Sequence, residues 1–189
     1  MDYPELREKL VETIIKGVEL NPLLRSAGNC SVRISGGMLI KPSGMTPEEI
    51  KPENIALVRF EAFGGGLEGN WEGTDAPSTE WRFHLASYSR PYVNAVVHTH
   101  SPHTQAFSCY RKGLPPLSYL NFIMGPDDEI PCTKSFEPAG SDALARQVKE
   151  LANNGADSMF IANHGFIAYG KTLNQALERA RVGEALAQN

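Results

Sequence analysis

Asn94-Ala95-Val96-Val97-His98-Thr99-His100 is a short apolar run that closes on two histidines one residue apart. On an extended strand successive side chains alternate faces, so His98 and His100 project to the same side and can grip one metal ion. A buried strand gains nothing from two imidazoles unless every ring nitrogen finds a partner. A hydrogen-bonded histidine pair at a strand end would also meet that demand, and the pair alone leaves both readings open.

Two other stretches extend the pattern. His164 sits in Ile161-Ala162-Asn163-His164-Gly165, where an apolar segment meets a glycine that permits a tight turn, a place that can hold a third ligand. Glu80 lies in Ala76-Pro77-Ser78-Thr79-Glu80-Trp81. There Ser78 or Thr79 is expected to cap a helix and Glu80 to fall in its first turn, favoured by the helix dipole. Alone, Glu80 would be a capping glutamate. Three imidazoles with one carboxylate suit zinc with an open coordination position, and manganese, cobalt or iron can use the same ligand types.

The chain of 189 residues is 41% hydrophobic, enough for one good-sized core, and is expected to form a single domain over residues 1–189. A net charge of -4 gives no basis for a nucleic-acid or anionic-membrane partner, so the expected target is a small molecule. Cys30, Cys109 and Cys132 are odd in number and show no paired spacing, which argues for reduced thiols in a cytoplasmic protein. No stretch approaches the roughly 20 apolar residues of a membrane span, and Met1-Asp2-Tyr3-Pro4-Glu5 lacks the basic start of a secretory signal.

Residues 5–20 carry Leu6, Leu10, Val11, Ile14, Ile15 and Val18 at helical spacing, an amphipathic helix packed on the core. Ser31 to Ile34, Gly36-Gly37 and Met38 to Lys41 form a hairpin, followed by a strand near Ile55 to Phe60. A glycine-rich loop over residues 64–76 leads to the helix near Ser78. Helices after Ser101-Pro102, after Ser141 and from Thr172, with a strand around Met159 to Ile161, complete an α/β sandwich.

Two small polar loops are candidate anion sites. Ser26-Ala27-Gly28-Asn29 precedes the first hairpin strand and Lys41-Pro42-Ser43-Gly44 follows the second, which could bring both loops to one end. Glycine lets backbone N–H groups approach a phosphate, and serine and asparagine add neutral donors. Ser78 and Thr79 offer further donors at a helix start. Singly each is an ordinary turn; together they suggest a phosphorylated small molecule. Neither Gly-x-x-x-x-Gly-Lys-Ser/Thr nor a helix-opening Gly-x-Gly-x-x-Gly is present.

With these residues in view, the chain resembles the class II aldolase and adducin-head family, most closely its metal-dependent, fuculose-1-phosphate-cleaving branch. The resemblance runs from the first helix to the last. It rests on Ala27-Gly28-Asn29 with Ser31-Val32-Arg33, on Pro42-Ser43-Gly44, on Pro77-Ser78-Thr79-Glu80-Trp81-Arg82-Phe83-His84, on Ala95-Val96-Val97-His98-Thr99-His100 and on Asn163-His164-Gly165.

The resemblance implies a three-layer α/β/α sandwich around a mainly antiparallel sheet, assembled as a homotetramer with active sites between subunits. It implies His98, His100 and His164 as zinc ligands, with Glu80 at the metal and acting as acid/base. Gly28, Asn29, Ser43, Gly44, Ser78 and Thr79 match its phosphate-binding positions, and Tyr119 matches a tyrosine that exchanges a proton with the substrate across the interface. The implied reaction is reversible cleavage of a sugar phosphate to dihydroxyacetone phosphate and a small hydroxyaldehyde, through an enediolate that the cation stabilises.

The 4-epimerase branch of the same fold uses an aspartate shortly after that tyrosine, whereas here Asn121-Phe122-Ile123-Met124 offers no carboxylate before Asp127. Dehydratase and decarboxylase branches, and a noncatalytic adducin-head-like module, remain as alternatives. The family's aldolases continue into a C-terminal tail bearing another tyrosine, and this chain stops at Ala187-Gln188-Asn189. Cys30, Tyr119, Asn121 and Phe122 are expected to shape the aldehyde pocket. His84 is expected to support the site from behind or to pack, and His103 to start a helix. Trp81, Phe83 and Leu85 should pack the helix, with Arg82 a solvated or inter-subunit charge.

Overall fold

The computed structural model describes residues 2–21, 24–124 and 129–189. In chain order the elements are α1 (Pro4–Val18), β1 (Asn29–Ile34), β2 (Gly37–Ile40), a 3-10 turn (Pro52–Asn54), β3 (Ala56–Arg59), α2 (Ala62–Gly65), β4 (Trp71–Glu72) and α3 (Trp81–Ser87). There follow β5 (Ala95–Thr99), α4 (Pro102–Ser108), α5 (Asn121–Met124), α6 (Asp142–Asn153), β6 (Ser158–Ile161), β7 (Gly165–Gly170) and α7 (Leu173–Gln188).

The seven strands form one sheet in the order β4-β3-β2-β1-β5-β7-β6, and neighbouring strands pair antiparallel. The alternation of side chains divides it into two apolar faces. Cys30, Val32, Leu39, Leu57, Ala95, Val97, Phe160, Phe166 and Ala168 meet α1 and α7 on one side. Met38, Ile40, Ala56, Val58, Val96, Met159, Ile161, Ile167 and Tyr169 meet α3 and α6 on the other. Helices on both faces of a mainly antiparallel sheet make the expected three-layer α/β/α sandwich.

Local chemistry accounts for most element boundaries. The Ser141 hydroxyl caps α6 by accepting the Leu144 N–H at 3.2 Å, and Thr172 caps α7 by accepting the Gln175 N–H at 3.2 Å. Ile34 pairs with Gly37 to close the first hairpin as its sequence predicts.

Several features depart from the sequence expectation. Ile15 is exposed, and the buried stripe of α1 instead includes Arg7, whose guanidinium donates to the carbonyls of Pro52, at 3.2 Å, and Ile55. The glycine-rich stretch contains the two-residue edge strand β4, which pairs Leu57 with Glu72. The strand β7 was absent from the expected elements, yet it lies between β5 and β6 and carries the chain back past His98. The cysteines follow the expectation instead: Cys30, Cys109 and Cys132 are all free thiols, Cys30 buried and Cys109 exposed.

Candidate active site

The site grows from the register of three strands. Asn29 opens β1 directly opposite His98 on β5, and His98 pairs on its other side with Ile167 of β7. His98 and His100 therefore share the face covered by α3, as period-two alternation requires. His164 arrives from the turn joining β6 to β7, where Ile161 pairs with Gly165. That turn is made by Asn163, whose φ of 56° is left-handed. Gly165, expected to permit the turn, instead permits close approach: a Cβ there would collide with the Thr99 carbonyl oxygen and lie 3.4 Å from His98 Cε1.

Glu80 itself stands at the N-cap position of α3, just ahead of the first turn in which it was expected, with no side-chain cap hydrogen bond. Ser78 precedes it in a turn, and its Oγ accepts the Glu80 N–H at 3.3 Å and an Asn29 Nδ2 hydrogen at 3.1 Å. The sheet and the helix start thus aim one carboxylate at three imidazoles. Donor atoms of Glu80, His98, His100 and His164 all lie within 4.8 Å of one another. His98 Nε2 is 2.8 Å from His100 Nε2 and 3.5 Å from Glu80 Oε2, while His164 Nε2 is 2.9 Å from Glu80 Oε1.

These four side chains fit a divalent cation. His98 Nδ1 donates to the Phe166 carbonyl at 2.9 Å, so its Nε2 lone pair faces the cluster. Glu80 Oε1 is buried, with His164 Nε2 at 2.9 Å as its near neighbour and no further hydrogen-bond partner among the described residues. Several lone pairs converging in a buried space repel one another, and a cation relieves that repulsion. Burial holds His98 well below the usual imidazole range, and His100 below it, with the neighbouring imidazoles adding to the effect against Glu80. Burial alone would raise the Glu80 carboxyl, but His98, His164 and the Asn29 hydrogen bond outweigh it and hold Glu80 below the usual carboxylate range. Neutral imidazoles and an ionised carboxylate are the forms that bind metal.

The expected phosphate loops also come together. The Ser43 N–H donates to the Ala76 carbonyl at 2.9 Å and the Ser78 N–H to the Lys41 carbonyl at 3.0 Å, joining the turn after β2 to the approach to α3. Ser43, Gly44 and Thr79 are exposed there, while Asn29 and Ser78 are buried. Gly28 (φ 76°) runs tightly against β5: an added Cβ would sit 2.8 Å from the His98 carbonyl oxygen.

Sequence reading missed the part played by Lys41, which it treats only as the start of a loop. Its ammonium is buried and donates to the Ser26 carbonyl at 2.9 Å, bracing the first loop from beneath the second. Burial lowers its pKa while the nearby Cys30 thiol and Glu80 act to raise it. A lysine between Ile40 and Pro42 at an otherwise apolar strand end was the available signal.

Other expected residues fall elsewhere. Tyr119 is 80% exposed on the turn before α5 and makes no hydrogen bond to the four donors among the described residues. Phe122 is 89% exposed nearby. Cys30 packs in the layer facing α1 and α7, opposite His98, so it does not join the site. His103 starts α4 and pairs through Nδ1 with Glu184 at 2.7 Å. Arg82 is paired with Asp142 at 2.8 Å rather than simply solvated. Asp127 and the side chain of Asn121 lie outside the described residues.

The family model described as class II aldolase and adducin N-terminal domain matches residues 8–189. An L-fuculose phosphate aldolase of Haemophilus influenzae is 37% identical over 188 residues, covering 99% of this chain and 82% of that protein. A 5-methylthioribulose-1-phosphate/5-deoxyribulose-1-phosphate aldolase of Rhodospirillum rubrum is 35% identical over 187 residues, covering 97% of this chain and 79% of that protein. Among solved structures, an L-fuculose 1-phosphate aldolase superposes with a TM-score of 0.87 at 28% identity, covering 100% of this chain and 85% of that one.

Proposed function

Because this chain belongs to the class II aldolase and adducin N-terminal domain family and is an aldolase, a lyase of that family, we propose that it cleaves a ketose 1-phosphate at a zinc-type centre formed by Glu80, His98, His100 and His164. The observation that carries this reading is the convergence of those four donors within 4.8 Å, beside two loops suited to a phosphate. A bound divalent cation would supply Lewis-acid stabilisation of the negative charge that develops on the substrate oxygens.

The protein's own residues account for the remaining steps. Gly28, Ser43, Gly44, Ser78 and Thr79, with Asn29 bonded behind Ser78, surround the phosphate and so fix where the sugar's third and fourth carbons lie. As the C3–C4 bond breaks, its electron pair stays with C3 and the C4 oxygen becomes a carbonyl, its proton passing to the phenolate form of Tyr119 of a neighbouring copy and from there to solvent. Glu80, which must first take up a proton from solvent, delivers it to C3 and returns to the carboxylate, giving dihydroxyacetone phosphate whatever aldehyde is released. In condensation each transfer runs backwards. The exposed Leu117, Tyr119, Phe122 and Ile123 form an apolar surface suited to a subunit contact, which supports Tyr119 acting across an interface in a homotetramer.

Fuculose 1-phosphate is the first substrate to test, by similarity to the 37% identical relative. Ketopentose 1-phosphates that lack the 5-hydroxyl or replace it with methylthio are the second, by similarity to the 35% identical one. The experiment follows dihydroxyacetone phosphate release from both with zinc-loaded, chelated and Glu80→Gln protein. Metal-dependent release lost by about 10²- to 10⁴-fold in Glu80→Gln is expected for removal of a general acid/base. Release that survives chelation, or near-normal turnover by folded Glu80→Gln, would overturn the reading.

A further inference from the structure

Two periodicities mesh beneath the site. Glu80, His84 and Tyr88 recur every fourth residue along and just beyond the ends of α3, about 6.0 Å apart in rise. Asn29, Ser31 and Arg33 recur every second residue along β1, about 6.6 Å apart. The stripes lie face to face, and each rung is polar in an otherwise apolar layer. Asn29 Nδ2 donates to Glu80 Oε2 at 2.6 Å, His84 Nε2 meets Asn29 Oδ1, and Ser31 Oγ meets His84 Nδ1 at 2.8 Å and Tyr88 Oη at 2.7 Å. His84 and Ser31 are wholly buried.

Only one set of hydrogen positions satisfies this chain while Glu80 is a carboxylate. A carboxylate only accepts, so the Asn29 amide must turn its NH2 toward Glu80, with the second hydrogen for Ser78 Oγ. Asn29 Oδ1 then faces His84, which must carry its proton on Nε2. His84 Nδ1 is left as an acceptor for the Ser31 hydroxyl, and Ser31 accepts from Tyr88. Burial pushes His84 down to about 3 against the opposing charge of Glu80, in keeping with a neutral ring.

We propose that His84 is a positioning residue: as the Nε2–H tautomer, fixed by Ser31 and Tyr88, it locks the Asn29 amide, which sets the orientation of Glu80. The consequence is one Glu80 oxygen occupied by Asn29 and the other left free for metal and substrate. Asn29 also joins Ser78, on the phosphate side, to Glu80, so substrate anchoring and carboxylate orientation share one amide. The inference rests on Glu80 acting at the metal and as acid/base.

Nitrogen NMR of 15N-histidine-labelled protein, assigned with His84→Gln, tests it first and needs no altered site. The Nε2–H tautomer is expected at His84, and an Nδ1–H tautomer would overturn the proposal. Second, His84→Phe keeps a ring but removes both nitrogens. It is expected to lower kcat and zinc affinity by roughly 10- to 100-fold, the usual effect of losing a residue behind a metal ligand, with KM nearly unchanged. His84→Gln, whose amide N–H can replace Nε2–H, is expected to recover much of both. Wild-type zinc affinity and kcat in folded His84→Phe, or no recovery in folded His84→Gln, would overturn the proposal. Near-normal turnover by Glu80→Gln would instead remove the acid/base reading, while the tautomer and zinc affinity would still decide the positioning role.

Discussion

A methyl group at position 165 would have to share space with the Thr99 carbonyl oxygen, a backbone atom that cannot swing aside. Gly165 follows His164 and touches the strand that carries His98, so the clash would displace two donors together. Gly165→Ala is expected to lower zinc affinity by at least 10-fold, as a metal site does when its ligands lose their support. Competition with a chromophoric chelator measures this, and unchanged affinity would show that the turn absorbs the methyl. The tight turn expected around His164 was legible in Asn163-His164-Gly165, but its cause was not. Local sequence shows a glycine, whereas the atom that requires it sits more than sixty residues away.

At the scale of elements, the layer between α3 and β1 concentrates buried titratable groups, and His84 makes it sensitive to acid. Its imidazole has an ordinary value of 6.5 and is pushed by burial to about 3 in the fold. Below 6.5 the unfolded chain binds a proton that the folded chain refuses, so this contribution is complete above that pH and is lost as pH falls toward 3. The limiting slope is about 1.4 kcal/mol per pH unit for one group. His98, also held low by burial, acts in the same direction. Urea midpoints of the metal-free protein are expected to fall steadily from pH 7 to pH 5, less steeply in His84→Gln. A midpoint independent of pH would contradict this burial. The stripe Glu80, His84, Tyr88 was visible as a helical repeat, but its partner on β1 was not, because nothing local says which strand a helix will cover.

Across the whole molecule, Asp157 binds the layers together. Its Oδ1 lies 3.0 Å from Arg90 Nη1, beyond α3, and its Oδ2 lies 2.8 Å from Arg179 Nη2 on α7. Arg179 also donates to the carbonyls of Tyr169 and Ile123 at 2.8 Å each, fastening α5 and the neighbouring Tyr119 turn to the sheet. All three charged side chains are largely buried, so removing the carboxylate strands two guanidinium groups. Asp157→Ala is expected to cost about 3–5 kcal/mol in urea denaturation. A loss below about 1 kcal/mol would place the network with exposed ion pairs. Among the described residues no helix is long and apolar enough to cross a membrane.

The sequence by itself determined what depends on near neighbours: the caps Ser141 and Thr172, the hairpin around Gly36, the apolar stripes, and the shared face of His98 and His100. It also supplied the donor types, which carried the metal and phosphate expectations. Tertiary structure alone decided that β7 inserts between β5 and β6, that Asn29 lies opposite His98, that Cys30 faces the other layer, and that Lys41 is buried under the first loop. Backbone alternation and capping act within a few residues and leave a local pattern. Strand order and register are selected by burial summed over the whole chain, and no short stretch records that sum.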